Sequence, residues 1–392
     1  MMGIVPSRDF VYPELVMETR DRPQLLFLSS LTSDSGSGVR FWNMARCAAR
    51  AGAAVTFSER LRPGQPPRAE RGIDYRFTTE RGPLARAILR SLRDGLRLAR
   101  GRQWDAVYAL KPLPNAAIPA LRARRRGTRA SLDVDDLDFE YYPPGLARTL
   151  VRRGFEAWPR RFDTVSYHVE PLRAYLAGDA RVPEDRLLQV PQGIDLDVFD
   201  APRAPLPPAI EAFTGRWRTI VHMASLGITS DAEDLLPLFS QALRLHPDWG
   251  FLLLGHGVKL DAFRERVAAS GALDRVLFAG HVPHATVPAV LAACRAGVHY
   301  LRPGGANRYR SIMKLREYLA AGLPVVANPS GDAADFAAFV EIAADTAAYL
   351  PALERALAGD LDERTRQGSD HVRRFLGWER LGPVVLRALG LA

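Results

Sequence analysis

Two doubly wound, Rossmann-like α/β domains are the fold this sequence predicts, on three observations. Short apolar runs rich in Val, Leu and Phe alternate with segments of helical period along most of the chain. A proline-rich stretch at 200–208 (Asp-Ala-Pro-Arg-Ala-Pro-Leu-Pro-Pro) interrupts the alternation and reads as a stiff linker. The alternation then restarts, so two βα-repeating halves facing a central cleft are expected. The predicted bounds are 1–200 and 201–370, with 371–392 as a last helix packing back toward the first half.

Length and composition agree with that class. A chain of 392 residues can bury two full cores, and 47% hydrophobic with 25% charged residues is the balance of a globular protein. Cys47 and Cys294 lie in Ala-rich helical stretches and read as small core residues, with neither a metal cluster nor a disulfide framework in view. Residues 1–22 are a charged, extended lead-in without the apolar core of a signal peptide, and no run of about 18 apolar residues could span a bilayer. A cytoplasmic, reducing location is therefore expected.

The net charge of +9 is uneven. Residues 1–200 hold 32 Arg and Lys against 25 Asp and Glu, an excess of 7, which leaves an excess of 2 for the rest. Arginine between Arg86 and Arg161 supplies much of it, including Arg124-Arg125-Arg126. Such a half suits an anionic partner: a phosphorylated lipid, an anionic membrane surface such as the inner face of the cell membrane, or nucleic acid. The alternative is compositional preference for arginine on solvated faces. No nucleic-acid-binding motif is recognisable, so nucleic acid is not an expected partner.

In chain order, Gln24–Ser30 is the first strand, and Ser35-Gly36-Ser37-Gly38 leads into a helix over 39–50. Gly36, Ser37 and Gly38 form an acceptor or phosphate loop whose backbone N–H groups and helix dipole suit an anion. Glu59, about 20 residues on, would fit a dinucleotide fingerprint, but Phe41 stands where its third glycine belongs. Residues 83–100 form an amphipathic helix, with Leu84, Ile88, Leu89, Leu92, Leu96 and Leu98 opposite five arginines. That helix suits either a domain surface or a bed of anionic headgroups.

A strand over 105–110 follows, then one over 130–138 that runs into Asp133, Asp135, Asp136 and Asp138. Four acids at the carboxyl end of a strand face the ligand crevice of an open sheet. They can serve as an Asp-x-Asp metal site, as a general base, or as helix caps. Further strands are expected at 162–169 and 187–195, then at 219–224, 250–254, 276–279, 297–301 and 325–327. The tail over 371–391 reads as one amphipathic helix around Trp378.

Residues 307–329 are a loop, a helix over 312–321 and a strand. Gly322 suits a left-handed C-cap, and Pro324 stops the helix. Lys314 and Glu317 are then either a solvated pair three residues apart or two halves of a site.

Four motifs in order carry a resemblance. Val190-Pro191-Gln192-Gly193-Ile194-Asp195 resembles the turn closing the first domain of GT-B glycosyltransferases. Leu253-Leu254-Gly255-His256-Gly257 and Val276–Val282 resemble their second-domain sequence, Met313–Ala327 their donor segment, and Trp378-Glu379 their closing motif. The pattern covers 24–385 and is similar to the family-four enzymes and to the xanthan-type bacterial glucuronosyltransferase. It implies a GT-B fold and a metal-independent hexosyltransferase with no cofactor, because the nucleotide-sugar is a substrate.

By that resemblance Lys314 would meet donor phosphate, N–H groups near Ser311 and Met313 would assist, and Glu317 would accept from ribose hydroxyls. Ser225, Gly255 and His281 would complete the donor site. The usual first glutamate of a paired motif falls near Tyr309 and Arg310, so Arg302, Arg308 or Arg310 would supply charge instead. Asp136, with Asp135 next, matches the proposed base of the xanthan-type enzyme and would make the reaction an inverting displacement.

The expected function is transfer from a nucleotide-diphosphate sugar, UDP favoured over GDP, to a saccharide or lipid-linked acceptor in polysaccharide or glycolipid synthesis. A GT-B pseudoenzyme, a lipid- or partner-binding module and a sugar-nucleotide epimerase are the alternatives.

Overall fold

A computed structural model describes residues 22–224, 226–227 and 231–391. The lead-in expected at 1–22 lies, up to residue 21, outside the described residues, and so does Ser225 of the expected donor site.

Thirteen strands in two sheets make the frame among these residues. The first holds β1 (Gln24–Thr32), β2 (Ala54–Leu61), β3 (Ile73–Thr79), β4 (Ala106–Leu110), β5 (Arg129–Asp133), β6 (Thr164–Tyr167) and β7 (Leu187–Gln189) in the order β3-β2-β1-β4-β5-β6-β7. The second holds β8 (Arg218–Met223), β9 (Trp249–Leu254), β10 (Val276–Gly280), β11 (Ala296–His299), β12 (Val325–Ala327) and β13 (Glu341–Ile342), ordered β10-β9-β8-β11-β12-β13. Counted within each sheet, the second reads 3-2-1-4-5-6 and the first reads the same with a seventh strand added, the doubly wound order with a switch point beside the first strand. The stretch between Ala201 and Pro207 that joins them is free of helix and strand.

Of the described residues, those up to Asp133 with Arg161–Val165 and those from Glu379 onward form one compact unit. Val134–Arg160 and Ser166–Trp378 form the other. In the first unit Ser131 Oγ donates to Ala388 O (2.6 Å).

Burial explains the apolar runs. Along β9, Phe251 and Leu253 enter one core with Phe239, Phe263 and Val298, while Leu252 and Leu254 enter another with Val325, Leu315 and Tyr318. A parallel strand covered on both faces has no polar side, which is why it reads as continuous Leu and Phe. Each such side chain contributes about 1.5–3 kcal/mol on burial.

Phe41 packs its ring 5.2 Å from Phe27 and 5.4 Å from Tyr108. An aromatic wedge thus separates helix Gly36–Arg50 from the sheet where a dinucleotide fold would need a glycine. Glu59 is likewise occupied, accepting from Arg68 Nε (3.0 Å) and Tyr75 OH (2.6 Å).

Four local expectations are corrected. The strand expected to reach 138 ends at Asp133, so Asp135, Asp136 and Asp138 lie in the loop and short 3₁₀ turn beyond it. The single tail helix is two, Asp362–Phe375 and Trp378–Ala388. Ile73–Thr79 is an additional strand, apolar at Ile73, Tyr75 and Phe77. Helix Leu84–Gly101 buries Ala87, Ser91, Gly95 and Ala99, not its leucines; Leu84 and Leu89 are 60% and 63% exposed. A Cβ on Gly95 would stand 3.0 Å from Pro119 Cγ, so this small seam lets the helix approach helix Pro114–Arg124 closely.

Candidate active site

Helix Met313–Ala320 is buried nearly all round, from Lys314 through Ala320. Its N-cap, Ile312, has no side-chain acceptor, so the first N–H groups are left to a ligand or solvent. Tyr318 fixes the helix to the sheet: its hydroxyl accepts from Met223 N (2.8 Å), at the end of β8.

Lys314 Nζ donates to Met223 O (2.9 Å), so the amine lies at the carboxyl end of β8, beside the switch point with β11. Burial, reinforced by the charge of Arg310, lowers its pKa to about 7. An amine held in that state gains strongly from an arriving anion. Glu317 is buried too, and His284 Nε2 donates to its Oε1 (2.9 Å). That bond raises the His284 pKa. Lys314 and Glu317 are therefore not a solvated pair.

Around them, Arg316 Nη2 donates to Asp332 Oδ2 (2.6 Å) in a buried pair, and Ser311 Oγ donates to the same oxygen. Arg310 Nη1 donates to Asn307 Oδ1 (3.2 Å), and the Arg308 guanidinium lies 4.5 Å from the Tyr309 ring. Arg302 is held bidentately by Asp234 (2.9 and 2.8 Å). Met313 opens the helix. His281 is exposed on the loop after β10. The histidine of that loop that reaches the helix is His284, three residues on.

Gly255 has φ +141°, and a Cβ there would lie 1.7 Å from Ala224 O. One on Gly257 would meet Leu226 at 2.2 Å. The loops leaving β8 and β9 thus touch backbone to backbone, which only glycine permits.

Asp136 Oδ2 accepts from Tyr141 OH (2.6 Å) and Oδ1 from Leu137 N (2.9 Å), fixing the carboxylate. Asp135 is buried, and its carbonyl accepts from His168 Nε2. Asp133 holds Arg40 through two contacts (3.1 and 3.2 Å) in a buried ion pair. Aromatic ring contacts connect the Asp136 turn to the arginine loop: Phe139 to Tyr175 (6.0 Å, tilted) and Tyr175 to Tyr309 (6.4 Å, edge to face). Asp135, Asp136 and the residues of the 302–317 stretch share one compact unit.

Gly36, Ser37 and Gly38 belong to the other unit. There Ser35 Oγ caps the helix by accepting from Gly38 N (3.0 Å), and a Cβ on Gly38 would lie 2.5 Å from Thr32 O. Among the described residues no group of three or more His, Cys, Asp or Glu could hold a metal ion.

Two Rossmann-like sheets, the second with a buried lysine and glutamate on a helix beside its switch point, define the class of scaffold. The family models agree: residues 35–193 match a Glycosyl transferase 4-like domain and 218–358 match Glycosyl transferases group 1. The chain belongs to the GT-B glycosyltransferases.

Among solved structures it is similar to sucrose-phosphate synthase from Thermosynechococcus elongatus (TM-score 0.71, 15% identity, 93% of this chain and 97% of that one). It is similar also to Anabaena HepE in complex with UDP (TM-score 0.71, 14% identity, 94% and 100%). A third is WaaG, a glycosyltransferase involved in lipopolysaccharide biosynthesis (TM-score 0.67, 14% identity, 93% and 100%). No curated protein matches the chain in sequence.

Proposed function

We propose that the protein moves a sugar from a nucleotide-diphosphate sugar, a UDP-sugar in preference to a GDP-sugar, onto the hydroxyl of a lipid-linked saccharide. The observation that carries this is the uncapped start of helix Met313–Ala320, with Lys314 and Glu317 both buried beside it. A diphosphate needs positive charge and N–H dipoles as the glycosidic bond breaks, and a ribose diol needs a carboxylate acceptor. The solved complexes of HepE with UDP and with UDP-glucose support uridine.

In this reading Asp136 takes the proton of the acceptor hydroxyl as its oxygen attacks the anomeric carbon. The bond from that carbon to the diphosphate breaks, and its electron pair leaves with the nucleotide. Tyr141 and the Leu137 N–H orient the carboxylate. Exposed Leu84 and Leu89, on a helix rich in arginine, support an acceptor met at an anionic membrane face. No helix among the described residues is long and apolar enough to cross a membrane.

A melting-temperature screen against UDP and GDP tests the donor assignment. UDP should raise the transition in a concentration-dependent way and GDP less so. If neither moves it, the donor reading falls and a pseudoenzyme takes its place.

A further inference from the structure

Surface arginines in this protein commonly meet a carboxylate. Arg46 pairs with Glu70 (2.9 Å), and Arg124 with Asp163 (2.8 Å). Others do not, and four of these come together. Arg100, Arg122, Arg125 and Arg126 line one open pocket of about 330 Å³, with Ala99 beside them. Among the described residues no carboxylate pairs with any of the four, and all four are exposed.

Helix dipoles do not account for the cluster. Arg100 is in the last turn of helix Leu84–Gly101, and the other three are at the end of helix Pro114–Arg124 or just beyond it. Two helix C-termini together carry about one negative charge, against four guanidinium charges. Roughly three positive charges remain uncompensated in a concave site, where Arg forks suit phosphate oxygens.

The pocket is distinct from the candidate active site. Its two helices run into the starts of β4 and β5, so the arginines lie at the amino edge of the first sheet. The Gly36–Gly38 turn follows the end of β1, at the opposite edge.

We propose that Arg100, Arg122, Arg125 and Arg126 form a binding site for a ligand bearing several phosphate groups, separate from the site of sugar transfer. The test is titration of sodium tripolyphosphate into the full chain carrying Lys314→Met, which disables the donor site as an alternative. The same chain with Arg122→Gln, Arg125→Gln and Arg126→Gln added is titrated beside it. Binding should weaken by roughly tenfold or more in the combined variant and should weaken with added salt. An unchanged melting temperature confirms that the exposed substitutions leave the fold intact.

Phosphatidylglycerol vesicles are the second arm. Arginine-dependent binding to tripolyphosphate alone identifies a soluble ligand, and arginine-dependent binding to vesicles identifies a lipid headgroup; each supports the site. Equal affinity with and without the arginines, or no binding to either probe, would overturn it.

Discussion

His284 Nε2 stands 2.9 Å from Glu317 Oε1, joining the loop after β10 to the buried helix that starts at Met313. The bond raises the His284 pKa above 6.5. Its stability contribution is therefore fully present below about pH 6.5 and is lost as pH rises through the folded value. The imidazole is half exposed, so the effect should stay below about 1 kcal/mol. Urea unfolding of wild type and His284→Ala at about pH 5.5 and about pH 8.5 should give a larger stability difference at the lower pH.

Lys314 has the opposite sign. Its folded pKa of about 7 lies below the ordinary 10.5, so the unfolded chain binds the extra proton and stability rises with pH between those values. Removing the buried amine with Lys314→Met should flatten that rise. A diphosphate that settles beside Lys314 should restore its proton. Calorimetry near pH 8 in buffers of different ionisation enthalpy should detect uptake approaching about one proton in wild type and none in Lys314→Met.

Asp136→Asn keeps the size of the side chain and removes its basicity. Turnover should fall by about 10²–10⁴-fold, while UDP affinity changes little. Tyr141→Phe removes only an orienting hydroxyl, 2.6 Å away, and should cost less. Steady-state kinetics with UDP binding measured alongside separates the two roles.

Gly255→Ala should destabilise by more than about 3 kcal/mol, since the new methyl meets Ala224 O at a strained φ. Gly36→Ala meets nothing within 4 Å and should be neutral, or stabilising by up to about 1 kcal/mol. Thermal unfolding of both variants checks the contrast.

Much of the fold was legible because parallel strands covered on both faces leave uninterrupted Leu, Val and Phe, as at Trp249–Leu254. Ile73–Thr79 was harder, because an edge strand with intermediate and exposed positions lacks that run. The helix over 84–101 misled by its leucines: close approach of two helices selects small residues, and period alone does not distinguish that seam from a leucine stripe. In the site, Lys314 and Glu317 were marked by spacing and motif. His284 and Asp332 were not, because their partners come from loops whose return only the folded chain determines. The histidine at the Pro283-His284 turn, just past the motif ending at Val282, was the available signal for one of them.

Equilibrium titration of UDP into wild type, Lys314→Met and Glu317→Ala tests most directly whether the Met313–Ala320 helix holds the nucleotide. Saturable binding in wild type, weakened by roughly tenfold or more in each variant, is the predicted result. Equal affinity in all three would contradict it.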